Sequence, residues 1–352
     1  MTLALLDRPT PIRDEATRRQ FLIGGASLAA LLAGCSTAAP ASGAPATSAG
    51  FPVTIRHKYG STEITKAPER VVAVGLTEQD TLLALGVTPV ATREWFGEQP
   101  GALWPWARAA AGNAPLPEVL GYELNYEKIA ALRPDLILGV VWGITDEEYP
   151  TLSQIAPTVA QSADFVDGGT PWQHQTRIIG RALGQQQRAA ELVAAVEARF
   201  VETRRANPQF AGASAVAAYD FGDGELGIYG PQDPRARILT SLGFEVPPRI
   251  VELVGDEFFA TISTEQLELV EADALLWIAY TEAGASRVQE QPLYRTLDVA
   301  REGRDLFLVG ADPLGAAYAF STVLSLPVVL DGLTLQLAAA LNGNPTTMVV
   351  PR

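Results

Sequence analysis

Hydrophobic and polar positions alternate between two periods along this chain. Short apolar runs such as Val71-Val72-Ala73-Val74 and Leu136-Ile137-Leu138 have the pattern of strands buried on both faces. Between them lie segments with apolar residues three and four apart, the period of amphipathic helices. After a hairpin over 51–64, the pattern predicts strands over 71–74 and 87–91 with a helix over 78–85 between them. A helix over 126–132 capped by Asn125, a strand over 135–141, a helix over 147–155 and a strand over 157–160 follow. The segment 172–206 then carries Ile178, Ile179, Ala182, Leu183, Leu192, Val193, Val196 and Phe200 as one stripe. It predicts one long helix of roughly 50 Å, with Gly184 as the point where it can bend.

The alternation resumes beyond this segment. Strands are expected at 215–219, 273–278 and 305–309, and helices at 237–242, 264–270 (capped by Ser263) and 324–341. The halves also align in sequence. Asn125-Tyr126-Glu127 followed by Asp135 matches Ser263-Thr264-Glu265 followed by Asp273, and Thr81–Val87 resembles Ile238–Phe244. Cap, Glu and Asp coincide in order, which favours duplication of one α/β unit. Strands alternating with helices mean mainly parallel sheets. The expected architecture is two α/β lobes, 51–170 and 209–352, joined by a rigid helix over 171–208. Ligands of such sheets sit beyond the carboxyl ends of the strands, here in a cleft between the lobes.

The first fifty residues belong to export, not to the fold. Arg18-Arg19 precede an apolar run, 23–33, too short to span a bilayer, which needs about 20 residues. The run ends Leu32-Ala33-Gly34-Cys35, resembling a lipobox, so 1–35 reads as a twin-arginine lipoprotein signal with Cys35 the lipidated residue. Residues 36–50, rich in Ala, Ser, Pro and Gly, read as a flexible tether. The mature protein is then exported and lipid-anchored on the outer face of the cell membrane. Cys35 is the only cysteine, which excludes disulfides and Cys-based metal or nucleophile sites from the mature chain.

A formal net charge of −14 argues against nucleic acid, whose phosphates require clustered cations. Enzyme motifs fail. His57 and His174 lie far apart, and neither G-x-S-x-G nor H-E-x-x-H occurs. Gly222-Asp223-Gly224-Glu225-Leu226-Gly227 matches G-x-G-x-x-G, but Gly230-Pro231 follows where a dinucleotide site needs a helix N-terminus, so the segment reads as a hairpin turn. The positive signal is aromatic. Arg93, Trp95, Trp104, Trp142, Phe221, Tyr229, Tyr280 and Tyr318 fall at or beyond expected strand ends and are the candidate ligand contacts. Flat rings pack a bulky organic guest, and Arg pairs with its anionic oxygens. Glu127 and Glu265 each take the second position of a helix, where a carboxylate suits the macrodipole without any partner. Their equivalence in both lobes also suits matching knobs for a two-fold partner.

Ala67-Pro68-Glu69-Arg70-Val71-Val72-Ala73, the run from Asn125 to Leu138, Ile155-Ala156-Pro157-Thr158-Val159 and Ile179-Gly180-Arg181-Ala182-Leu183-Gly184 carry a family resemblance. Across 51–345 the chain resembles substrate-binding lipoproteins of ABC importers of the iron–siderophore and cobalamin type. The resemblance implies two Rossmann-like lobes on a rigid helix, little closure on binding, and one Glu per lobe docking on the permease dimer, here Glu127 and Glu265. It implies a ferric siderophore as transported ligand, no intrinsic cofactor, no resident metal site, no catalysis and a monomeric receptor. Cobalamin or haem as the ligand, or a secreted metal-dependent hydrolase of two lobes, are the competing readings.

Overall fold

Two five-stranded sheets, one per half of the chain, form the body of the protein. The structure is a computed structural model that describes residues 50–342 apart from 143, 221–224 and 280. Cys35, the leader, Phe221 and Tyr280 lie outside the described residues. The hairpin β1 (Val53–His57) and β2 (Gly60–Ile64) turns Val53, Ile55 and Ile64 into the first core. Then come β3 (Val71–Ala73), α1 (Glu78–Ala84), β4 (Ala91–Arg93), α2 (Pro105–Ala111), β5 (Glu118–Leu120), α3 (Tyr126–Ala131), β6 (Leu136–Gly139), α4 (Glu148–Ile155) and β7 (Thr158–Ala160). Their sheet runs β5-β4-β3-β6-β7 with every pair parallel.

Two local expectations shift here. The strand expected at 87–91 starts only at Ala91, because Val87 donates to the Leu82 carbonyl (2.9 Å) and closes α1 through Gly86 in the left-handed region. The helix α2 was unforeseen, although Pro105 at its first position followed by an Ala-rich run is a helix start.

The segment 172–206 is not one rod. It forms α5 (Trp172–Ala182) and α6 (Gln186–Ala206), broken at Gly184, whose φ of +69° no long helix tolerates. The turn is tight because Gly180 lacks a side chain: a Cβ there would lie 2.3 Å from that of Ala189. The result is a helical pair. Ile179, Ala182, Leu183 and Ala189 pack in the first-lobe core, while Val193, Val196 and Phe200 pack in the second. The crossing thus falls on α6 between Ala189 and Val193, and Trp172 at the start of α5 reaches the second core as well.

The second lobe comprises β8 (Ala215–Asp220), β9 (Glu225–Tyr229), α7 (Pro234–Leu242), α8 (Pro248–Val254), β10 (Phe259–Ser263), β11 (Ala274–Ala279), α9 (Glu282–Glu290), α10 (Asp298–Arg301), β12 (Asp305–Val309), α11 (Pro313–Phe320) and α12 (Leu326–Leu341). Its sheet runs β10-β9-β8-β11-β12; β8, β11 and β12 are parallel, and β9 is antiparallel to both neighbours. The glycine-rich segment therefore joins two antiparallel strands, with Asp220 opposite Leu226. The helix expected over 264–270 is a 3₁₀ run, Thr264–Val270, with a reciprocal cap between Ser263 and Gln266.

The repeated Asp does the same work in both lobes. Asp135 accepts the N–H groups of Glu69 and Arg70 just before β3, and Asp273 accepts the N–H and hydroxyl of Ser214 just before β8. Each pins the entry of the central strand to the strand that follows the capped turn.

The lobes are not held apart by a strut alone. A second junction packs Trp104 and Trp106, stacked 5.6 Å apart, with Phe96 and Trp95 against Phe320 and Ala316 of α11. Beside it Asp80 of α1 accepts from the Trp106 indole at 2.7 Å and, across the lobes, from the Thr322 hydroxyl at 2.5 Å.

Candidate ligand-binding site

In the first sheet the strand order reverses between β3 and β6, and the loops leaving these strands frame a crevice of the kind where α/β sheets bind ligands. Glu78, fully buried, ties the two loops together: one carboxylate oxygen accepts the Val141 N–H at 2.7 Å, the other the Thr77 N–H at 3.1 Å. Burial pushes this carboxyl up to about 7 despite those hydrogen bonds. Gly75 makes room for it, since a Cβ there would sit 2.0 Å from Glu78 Oε1.

Two adjoining cavities open from this crevice. One, of about 200 Å³, lies between the lobes, with Leu76, Trp95 and Trp142 on one wall and Tyr219, Tyr229 and Phe259 on the other. The second, of about 350 Å³, extends along the first lobe past Tyr59 and Arg93. Leu76, Tyr122, Trp142 and Gly168 line both. Trp142 stands at the centre. Its ring meets Phe258 of the opposite lobe edge-on at 5.6 Å, and 43% of the residue is exposed. Its φ of +43° is a strained value for a bulky residue, the kind of strain that gathers at binding sites. Gly168, at φ +79°, leaves the space the indole occupies: a Cβ there would fall 1.8 Å from Trp142 Nε1.

The second-lobe wall is a packed set of rings. Tyr219 and Tyr229 stack at 4.9 Å, and Phe259 closes edge-on against Tyr219. The Arg235 guanidinium lies 3.9 Å from the Tyr229 ring centre and 5.3 Å from that of Phe258. It forks onto Asp233, with Nε to Oδ1 at 2.7 Å and Nη2 to Oδ2, while Asp233 also caps α7 through the Arg235 N–H. Burial pushes the Asp233 carboxyl up, and the arginine pulls against it. On the first lobe, Arg93 at the end of β4 donates to the Tyr122 carbonyl (2.7 Å) and lies over the Tyr122 ring. Lys58 pairs with Asp167 at 2.8 Å.

Of the residues chosen from sequence, Trp95, Trp142 and Tyr229 line the inter-lobe cavity and Arg93 the adjoining one. Trp104 does not. It is 2% exposed inside the second junction, because Pro105 starts α2 and turns its ring inward. Tyr318 was expected in a loop and lies in α11, fully buried, donating at 2.9 Å to the Arg235 carbonyl. Phe221 and Tyr280 lie outside the described residues. Sequence reasoning missed Tyr122, Tyr219, Arg235, Phe258, Phe259 and Phe320. Phe258-Phe259 entering an edge strand was a readable signal. Tyr219 reads from sequence only as the last residue of a strand.

Glu127 and Glu265 are both exposed, at the second position of α3 and of the 3₁₀ run respectively. Asn125 caps α3 by accepting the Lys128 N–H at 2.9 Å. Among the described residues no three His, Cys, Asp or Glu side chains converge to hold a metal, and no helix is long and apolar enough to cross a membrane.

Comparison with known proteins agrees with this architecture. The sequence profile of the periplasmic binding protein family matches residues 71–308. The "Probable siderophore-binding lipoprotein YfiY" of Bacillus subtilis is 29% identical over 266 residues, covering 71% of this chain and 78% of its own. A periplasmic solute binding protein from Mycobacterium smegmatis superposes with a TM-score of 0.73 at 36% identity, over 82% of this chain and 99% of its own. Streptococcus pneumoniae PiaA in complex with ferrichrome superposes with a TM-score of 0.72 at 26% identity, over 82% and 99%.

Proposed function

Because the chain belongs to the periplasmic binding protein family, we propose that it is the receptor of an ABC importer for a ferric siderophore. The observation that carries this reading is the ring-lined crevice at the strand carboxyl ends, walled by both lobes and centred on Trp142. Flat rings suit a bulky organic chelate. A guest that brings its own iron ligands needs no metal cluster from the protein, and it is cargo, not cofactor. The relatives' names point the same way, since one is called siderophore-binding and another holds ferrichrome.

In this reading the protein carries and does not catalyse. It leaves the cytoplasm by a twin-arginine signal, is anchored through lipid on Cys35, and works as a monomer on the outer face of the membrane. Glu127 and Glu265, one exposed carboxylate per lobe, dock on the two halves of a permease dimer. Arg93, Trp95, Trp142 and Tyr229 contact the guest.

Titration of intrinsic tryptophan fluorescence tests the proposal. Trp95 and Trp142 line the cavity, so saturable quenching is expected with ferric siderophores but not with cobalamin or haemin. Saturation by cobalamin or haemin, with no response to any ferric chelate, would overturn it.

A further inference from the structure

The charges around the crevice say more about the guest than its rings do. Resting on the siderophore reading above, we infer that the guest is a ferric chelate of little or no net charge, of the tris-hydroxamate class. Three hydroxamates bring one negative charge each and cancel Fe³⁺. Three catecholates bring two each and leave a trianion, and ferric citrates also remain anionic.

Among the described residues, the cations that line the two cavities are Lys58, Arg93 and Arg235. Each is already engaged. Arg235 is bound in a fork by Asp233, which is fully buried directly behind it. Three N–H donors converge on the Asp233 oxygens, an arrangement that needs an ionised acceptor on both sides of the fork. The flat face of the guanidinium is covered by Tyr229 and Phe258. Lys58 holds both oxygens of Asp167 at 2.8 and 2.9 Å. Arg93 points its N–H groups at the Tyr122 and Val74 carbonyls and lays its plane on a ring.

Carboxylates stand on the same walls. Asp146, Glu148 and Asp167 line the first-lobe cavity. Among the described residues three lining cations thus stand beside three lining carboxylates, and Asp233 behind Arg235 adds a fourth negative charge. A trianion entering this crevice would lose its hydration, find two of the three lining cations already paired with carboxylates and the third held to carbonyls and a ring, and meet the repulsion of the acidic wall. The surplus of acid over base in the whole chain, −14, acts in the same direction at longer range. An uncharged chelate loses far less hydration, needs no counter-charge and meets no net repulsion, and it still gains from Trp142, Tyr219, Tyr229 and Phe259.

The full-length chain is titrated, by tryptophan quenching, with three ferric probes: a neutral tris-hydroxamate (ferrichrome), the trianionic tris-catecholate of enterobactin, and ferric citrate. The expected result is that ferrichrome binds about 100-fold more tightly than either anion, with an affinity flat between low and high salt. The variant Asp146→Asn plus Glu148→Gln should move the catecholate-to-hydroxamate affinity ratio about tenfold toward the catecholate, because it lowers the repulsion selectively for the charged guest. Equal or tighter binding of the catecholate or of citrate by the wild type overturns the inference while leaving the siderophore reading intact. An unmoved ratio in the double variant also overturns it, since the acidic wall would then not face the guest. If none of the three probes binds, the siderophore reading itself fails.

Discussion

Replacing Asp80 by Asn should flatten the dependence of stability on pH. Asp80 is 1% exposed, at the start of α1, and one of its oxygens joins the lobes by accepting from Trp106 and Thr322. Its other oxygen is buried with no hydrogen-bond partner. Burial pushes this carboxyl from 3.8 up to about 7, against the pull of those two donors. The folded state therefore holds a proton that the unfolded chain releases between about pH 4 and pH 7. The sign follows: stability is highest at the acid end of that window and falls as pH rises through it. Integrated from pH 5 to pH 7, one such group removes about 2 kcal/mol. Glu78, held near 7 by its own burial, removes about as much again. Asn keeps an oxygen for both donors and cannot ionise, so it should match the wild type only below about pH 4, where the unfolded Asp80 is protonated as well. From pH 5 to pH 7 the advantage of Asp80→Asn should grow by about 2 kcal/mol, a widening of the Tm gap by about 5 °C. The assay is thermal unfolding of both proteins at pH 5, 6 and 7. If the two curves fall in parallel, Asp80 is not the proton-binding group this argument makes it.

Other perturbations probe the site and the docking surface. Trp142→Ala and Arg93→Ala should each weaken quenching by a ferric siderophore, Trp142→Ala by about tenfold; unchanged affinity in both removes them from the site. Gly168→Ala places a methyl group where the Trp142 indole lies, so ligand affinity should fall while urea unfolding shows a smaller change. A loss confined to stability would mean Trp142 repacks freely. Glu127→Arg combined with Glu265→Arg should leave affinity intact and abolish iron uptake by cells, and normal uptake would refute the docking role.

Much of the fold could be read from the pattern of apolar residues, because its strands are buried on both faces and its helices are amphipathic. The duplicated Asp was legible for a physical reason now visible. Asp135 and Asp273 each fasten the same backbone corner, a constraint local enough to leave the same spacing in both halves. The break at Gly184 left a trace in the sequence, since the stripe lapses over Gly184-Gln185-Gln186-Gln187-Arg188 between Leu183 and Leu192, but the lapse alone does not say whether the helix bends or stops. What decides it is the close approach of Gly180 to Ala189, a contact between two helices and not a property of either. The strand β10 was missed because it is an edge strand with weak alternation. Aromatic residues could be picked out at strand ends, yet sequence cannot tell a ring that lines a cavity from one that fills a joint. Trp95 and Trp104 lie nine positions apart; the first reaches the cavity, the second is enclosed by Trp106 and Phe320.

The indole-rich junction between α2 and α11 bears on how selection is achieved. Together with the paired helices and the Asp80 bond, it fastens the two halves at separate points, so a hinge that bends one fastening must shear another. A container braced in this way cannot squeeze its contents. It sorts by girth, outline and charge at the moment of entry, and not by tightening afterwards.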